Sequence, residues 1–216
     1  MKHNKVAVLI PTYNREELIT QTLESIDKQT YKNIDIYIYD DCSTDKTIEV
    51  VQNFKTDKKI FIKKGEVNGG CGTARNQLLD WVSREYDYYF FQDSDDISVE
   101  TRFEVMIGYM ESGGYDIAWS DMYSFVHPNL NRRALRHVDV SRYQSREGLF
   151  QNMNFPTCVF NPEIADKFKF NDGTRIGEDV EWICKMIGKV KMGSFNHPLY
   201  YLRKHEGRVT NSKWNK

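Results

Sequence analysis

Five short apolar runs separated by four segments of helical periodicity occupy the first 120 residues of this 216-residue chain and leave few folds open to it. The runs are Val6–Ile10, Ile34–Tyr39, Ile60–Ile62, Tyr88–Phe91 and Ile117–Trp119. They are rich in β-branched and aromatic residues and mostly do not alternate with polar ones, as expected of strands covered on both faces. Between them, Ile19, Leu23 and Ile26 share one helical face, and Ile48, Val51 and Phe54 share another after Ser43 or Thr44 as a cap. Ala74, Leu78 and Val82 mark a third helix, and Phe103, Ile107 and Met110 a fourth with Ser98 as its cap. Such alternation specifies an α/β fold, a central and mostly parallel sheet flanked by helices.

Beyond Asp121 the pattern loosens. Residues 127–146 are polar and arginine-rich and read as a long loop. A last helix is expected from Glu178, burying Val180, Ile183 and Ile187, with one or two closing strands in Val190–Met192 and Leu199–Leu202. No internal repeat, low-complexity tract or linker divides the chain, so residues 1–216 are expected to form one domain.

With 40% hydrophobic and 28% charged residues, the chain falls outside the disordered and membrane classes. A net charge of -1 argues against non-specific coating of nucleic acid. The cysteines at 42, 71, 158 and 184 form no CxxC pair, which fits a reducing compartment. No apolar stretch approaches the ~18 residues of a membrane span. The expectation is a cytoplasmic protein, soluble or peripheral to the inner face of a membrane.

In an open α/β sheet ligands bind where the strands end. The first strand leads into Pro11-Thr12-Tyr13-Asn14-Arg15-Glu16, and the second into Asp40-Asp41-Cys42-Ser43-Thr44-Asp45. Asn68-Gly69-Gly70-Cys71-Gly72-Thr73-Ala74-Arg75-Asn76 follows the third, and Gln92-Asp93-Ser94-Asp95-Asp96 the fourth. Three carboxylates in four residues repel one another unless a cation neutralises them, and hard divalent ions join such carboxylates to a diphosphate. The plainer alternative is a solvated acidic loop that caps the next helix. Asp40 and Asp41 pose the same choice, between ligand contact and a helix cap supported by Ser43. The glycines at 69, 70 and 72 let backbone approach a ligand closely, with Arg75 beside them.

Taken together these motifs resemble family-2 glycosyltransferases of the GT-A fold, from Pro11 to about Thr210. In that resemblance Pro11-Thr12-Tyr13-Asn14, with Arg15 next, is the opening loop beside the nucleotide. Asp41 matches the residue that reads the base, usually uracil. Asn68, Gly70, Ala74, Arg75 and Asn76 match an N-x-G-x-x-x-A-R-N segment whose arginine meets the diphosphate region. Asp93-Ser94-Asp95-Asp96 is similar to the D-x-D-D metal motif, with Asp95 as direct ligand of Mn2+ or Mg2+ and Asp93 towards ribose and metal. Glu178-Asp179 resembles the pair that supplies the catalytic base of inverting members. His205, in Tyr200-Tyr201-Leu202-Arg203-Lys204-His205, matches a residue completing the metal site. Two positions depart from the pattern: Cys42 stands where glycine is usual, and no proline follows the metal motif.

The resemblance implies a nucleotide-sugar-binding half in residues 1–120 and an acceptor and catalytic-base half in 121–216. It implies transfer from a nucleoside-diphosphate sugar, by preference a UDP-sugar, with Asp179 or else Glu178 as base. The default acceptor is a bacterial-type surface glycan or its lipid-linked precursor. Arg132, Arg133, Arg136, His137, Arg142 and Arg146 make 131–146 locally basic, which leaves a hydroxylated base in nucleic acid as an alternative acceptor, or a merely solvated arginine-rich segment. A non-catalytic nucleotide-sugar-binding module is the remaining class. A phosphatase with an Asp-x-Asp nucleophile fits poorly, because the motif here follows the fourth strand, and a nucleotidyltransferase would need a glycine-rich loop after the first.

Overall fold

The structure, a computed structural model, describes residues 4–142, 154–172 and 177–207. In chain order the elements are β1 (Val6–Thr12), α1 (Ile19–Asp27), β2 (Ile34–Asp40), α2 (Thr47–Asn53), β3 (Lys59–Lys64), α3 (Cys71–Trp81), β4 (Tyr88–Phe91) and β5 (Ile97–Ser98). They continue with α4 (Arg102–Gly113), β6 (Ile117–Val126), β7 (Asn129–Arg136), β8 (Val159–Phe160), α5 (Pro162–Lys167), α6 (Glu178–Cys184) and β9 (Met192–Lys204). The strands form one sheet ordered β3-β2-β1-β4-β8-β6-β9-β5, with β7 paired to β6. Val8 pairs in parallel with Ile36 on one side and Phe90 on the other, and β2 pairs in parallel with β3.

The apolar runs do not alternate because both faces of the sheet are covered. All seven residues of β1 are buried. Ala7, Leu9, Tyr37 and Phe91 pack towards Ala74, Leu78 and Leu79 of α3 and Val180 and Ile183 of α6. Val6, Val8, Ile10 and Ile36 pack oppositely, against Ile19, Leu23 and Ile26 of α1 and Phe103 and Met106 of α4. β3 is the exception: its exposed Lys59, Phe61 and Lys63 alternate with half-buried Ile60 and Ile62. As the edge strand it has one free side, and its lysines discourage pairing with another chain.

Three expectations need correction, and a fourth is narrowed. The arginine-rich segment read as a loop contains β7, which forms an antiparallel hairpin with β6 from Met122↔Arg136 to Val126↔Asn129. Backbone pairing defines that strand, and with Leu130 and Leu135 exposed no buried face betrays it in the sequence. Of the one or two closing strands expected, one forms, β9, interrupted where Ser120 pairs with Phe195 and Asp121 already with Pro198. The bulge there accommodates the proline and the polar Asn196-His197 that made the run look broken. Ser98 caps no helix; it lies in β5 opposite Tyr200, and α4 begins only after Thr101. The carboxylate of Asp45, rather than Ser43 or Thr44, accepts the Thr47 N–H at the start of α2 (2.9 Å). None of the four cysteines is paired with another. Among the described residues no helix is long and apolar enough to cross a membrane.

Candidate active site

The parallel strands β1, β2, β4 and β6 end along one edge of the sheet, and the loops that follow them meet there. Pro11 and Thr12 finish β1 inside the sheet, and the Thr12 hydroxyl is buried without a hydrogen-bond partner. Tyr13 projects outward. Asn14 turns the chain in the left-handed region (φ 49°), which its short polar side chain tolerates. Its N–H is donated to the Ser43 hydroxyl (2.8 Å), and its Oδ1 accepts the Thr44 N–H (2.9 Å), so the loops after β1 and β2 are tied together.

The paired aspartates after β2 divide their work. Asp40, wholly buried, accepts the Ser43 N–H (2.9 Å) and hydroxyl and so closes its own turn. Asp41 reaches across to the glycine loop, taking the N–H of Gly69 at 2.9 Å and of Gly70 at 2.8 Å. Gly70 enters α3 at φ 85°, a conformation that glycine alone adopts without penalty. Between them Cys42 holds φ 68°. A left-handed side-chain-bearing residue costs about 1 kcal/mol, set here against a weak contact of the Cys42 Sγ–H with the Glu66 carbonyl at 3.4 Å. Cys42→Gly is therefore expected to stabilise the fold by up to about 1 kcal/mol, read as a higher urea midpoint; a lower midpoint would mean that the thiol contact outweighs the strain.

In the acidic loop each carboxylate has a different environment. Asp96 is buried and accepts the Arg203 N–H at 2.7 Å, fastening β9 to the loop. Asp95 Oδ2 is met by Arg15 Nε at 3.1 Å and His205 Nε2 at 2.9 Å, while the Asp95 carbonyl accepts from Arg203 Nε at 2.7 Å. Asp93, more open, lies 3.3 Å from Arg75. Ser94 is buried between them. Behind the loop Gln92 is fully buried: its amide donates to the carbonyls of Asp93 and Asp96 and to Tyr200, and its Oε1 accepts from Ser98 and Arg102.

Arg75, on α3, is buried with its guanidinium 4.4 Å over the Phe155 ring. It donates to Glu178 at 2.6 Å and to Asp93 at 3.3 Å, and its Nε is buried without a partner. Glu178 is thus buried and ion-paired. Asp179 beside it is partly exposed, and burial together with the negative charge of Glu178 raises its pKa to about 6. Asp179 thus combines access with a pKa raised towards neutrality, whereas Glu178 is buried against Arg75.

The structure thus brings Thr12, Arg15, Asp41, Gly70, Arg75, Asp93, Asp95, Glu178, Asp179 and His205 to one edge. Asn68 is exposed. Arg146, and the side chains of Arg132 and Arg142, lie outside the described residues. Sequence reasoning missed Asp121, which ends the regular part of β6. Phe90 and Ala118 both pair with Val159, so Asp93 and Asp121, three residues further on, stand at the same height of the sheet. Asp121 is buried and accepts from His137 Nδ1 and from the Val138 N–H, both at 2.7 Å, leaving the His137 ring mostly exposed. Its position after an apolar run was the available signal. Gln92, Arg102 and Arg203 offered none, since nothing in the sequence marks a polar residue as buried.

Asp95 and His205 offer a hard oxygen and an imidazole nitrogen side by side, a donor pair suited to Mn2+ or Mg2+. Among the described residues no three His, Cys, Asp or Glu side chains form a ready cage. Such ions need none where substrate phosphates complete the coordination.

The family model for glycosyl transferase family 2 matches residues 7–171. An Escherichia coli relative, UDP-Glc:alpha-D-GlcNAc-diphosphoundecaprenol beta-1,3-glucosyltransferase WfaP, is 38% identical over 118 residues, covering 55% of this chain and 46% of that protein. The structure of S. aureus TarS 1-349 in complex with UDP-GlcNAc matches with a TM-score of 0.80 at 22% identity, over 97% of this chain and 61% of that one. The mannosyltransferase PcManGT from Pyrobaculum calidifontis, in complex with GDP-Man and Mn2+, matches with a TM-score of 0.71 at 14% identity, over 96% and 59%. This chain therefore spans about half the length of WfaP and some three fifths of either structural neighbour. The shared architecture is the GT-A fold. Because the matched segment runs from the first strand through the acidic loop and beyond β8, the chain belongs to glycosyl transferase family 2.

Proposed function

We propose that the chain is an inverting, metal-assisted glycosyltransferase that moves a sugar from a UDP-sugar to a hydroxyl of a bacterial surface glycan or its lipid-linked precursor. The observation that carries this reading is the convergence, on one sheet edge, of Asp95 with His205, of Arg75 held between Asp93 and Glu178, and of the accessible Asp179. A binding module has no use for a carboxylate tuned towards neutrality beside a cation site. UDP is favoured because Asp41 is the base-reading position, and because WfaP uses UDP-Glc and TarS holds UDP-GlcNAc. The acceptor class follows the diphosphoundecaprenol-linked substrate in the name of WfaP.

In this mechanism the base lies against Asp41 and the unpartnered Thr12 hydroxyl, under Tyr13. Asp93 and Ser94 border the ribose. Arg75 and Arg15 supply positive charge towards the diphosphate. Asp95 and His205 would hold Mn2+ or Mg2+, which when bound would supply Lewis-acid stabilisation of the leaving diphosphate. Asp179 takes the acceptor proton as that oxygen attacks the anomeric carbon from the face opposite the leaving group. The bond from the anomeric carbon to the diphosphate oxygen breaks, UDP departs, and the single displacement inverts the configuration.

The donor half is tested by thermal shift. UDP with Mn2+ at saturation is expected to raise the melting temperature by several degrees, with a smaller rise for UDP alone and none of the metal-dependent gain in Asp95→Ala. A response to UDP in which Mn2+ adds nothing would sink the metal-assisted reading.

A further inference from the structure

We infer that Arg15 is the internal counter-cation of Asp95, so that metal binding at Asp95 waits on the arrival of a nucleoside diphosphate. The inference rests on the proposed reading of Asp95 and concerns the state before either ligand is bound. A buried carboxylate beside two others needs a positive partner. Arg15 provides it: Nε meets Asp95 Oδ2 at 3.1 Å, and the two side chains are only 14% and 12% exposed. The rest of the guanidinium is also engaged, NH1 with the Tyr13 and Asn14 carbonyls at 3.1 and 2.9 Å and NH2 with the Gly207 carbonyl at 3.3 Å. A divalent ion approaching Asp95 thus meets a fixed positive charge on the oxygen it would bind, and the two cations compete.

The backbone of Arg15, by contrast, is immobilised. Its N–H is donated to the Thr47 hydroxyl at 2.7 Å, and its carbonyl accepts the N–H groups of Leu18 and Ile19 at the start of α1. Any adjustment falls to the side chain, whose guanidinium can turn from a carboxylate to the bidentate acceptor that a diphosphate offers. A diphosphate at this edge would draw Arg15 off Asp95 and free that oxygen for the metal. Donor and metal then help each other to bind, by the same factor in either order.

The test measures Mn2+ alone, by the electron-paramagnetic-resonance signal of the free aquo ion, and UDP alone, by calorimetry. Wild type is expected to bind Mn2+ about tenfold or more tightly with saturating UDP than without it, the binding being lost in Asp95→Ala. Arg15→Met should bind Mn2+ without nucleotide about tenfold or more tightly than wild type, while its affinity for UDP falls. These opposite directions separate a counter-cation from a structural residue, whose loss would weaken both. Arg15→Lys, which keeps the charge in place with a smaller perturbation, should retain the wild-type dependence on UDP. Arg15→Met binding Mn2+ no more tightly than wild type, where wild type binds it with UDP through Asp95, would overturn the inference alone. Absence of Mn2+ binding to wild type even with UDP would overturn both the inference and the metal-assisted reading beneath it.

Discussion

Asp179→Asn is expected to lower kcat by roughly a thousandfold, within the range for loss of a general base, while UDP affinity stays within about twofold. The amide is the same size, and its oxygen can still accept the Val180 N–H that Asp179 Oδ1 takes at 2.8 Å. What it cannot do is take a proton. Misfolding is excluded as a cause by a second expectation, on stability. Burial and the negative charge of Glu178 raise the pKa of Asp179 in the fold to about 6, above its ordinary 3.8. The folded protein therefore holds this proton more tightly than the unfolded chain does. That contribution to stability is full below the unfolded pKa and is lost as pH rises through about 6. At pH 7.5 the ionised Asp179 thus burdens the fold, and Asn removes the burden. The variant should melt at the same temperature as wild type or higher, although it is nearly inactive. A variant that keeps a tenth of wild-type turnover would remove Asp179 from the role of base.

The same pKa fixes the sign of the pH profile. A base works when deprotonated, so kcat/KM should rise with pH and level off above about 6, the limb belonging to Asp179. Because the negative charge of Glu178 helps hold that pKa up, Glu178→Gln should move the limb to lower pH. Its amide oxygen can still accept from Arg75, which limits the disturbance to charge. A limb that stays put would mean that burial alone sets it, or that another group is titrating.

How much of this was readable in the chain depends on what each residue does. Buried parallel strands announce themselves as apolar runs, and the five in the first 120 residues each lie within a strand of the structure. The loops after two of them, the second and the fourth, held candidate aspartates because strand direction puts carboxyl ends on one edge. Legibility failed where backbone pairing, not burial, makes the element. β7 presents Leu130 and Leu135 to solvent and so has no core-facing pattern to read. β9 carries a proline at its bulge, a residue that in sequence argues against a strand. The polar scaffold was invisible for another reason. Asp41 and Asp40 are adjacent and chemically identical, yet one bridges to the Gly69-Gly70 backbone and the other closes its own turn. Only the register of β2 against its neighbours decides which carboxylate points where.

Arg102 is the sharpest case of that hidden scaffold, and Arg102→Met is expected to destabilise the fold by about 3–5 kcal/mol. In sequence it is one more charged residue at the start of a helix, where solvent is the ordinary partner. In the structure it is fully buried, packed against the rings of Tyr200, Phe103 and Phe90. NH1 donates to Gln92 Oε1 at 2.9 Å and Ser98 Oγ at 3.0 Å, and NH2 to the carbonyls of Phe91 and Pro156, both at 2.9 Å. None of these partners is a carboxylate, and burial lowers the pKa of Arg102 to about 10, so it stays charged at neutral pH. One guanidinium thereby joins the end of β4, the acidic loop through Gln92, strand β5, and the turn at 155–157 whose Phe155 lies under Arg75. Methionine fills much of the space but donates nothing, so the two carbonyls and Gln92 lose buried hydrogen bonds together. For a chain of this length the loss corresponds to a fall in melting temperature of roughly 10 °C. Arg102→Lys, which keeps the charge and some of the donors, should lose less. Equal melting temperatures for wild type and Arg102→Met would show that solvent or repacking satisfies these groups, and that the acidic loop is held by Arg203 and Tyr200 instead.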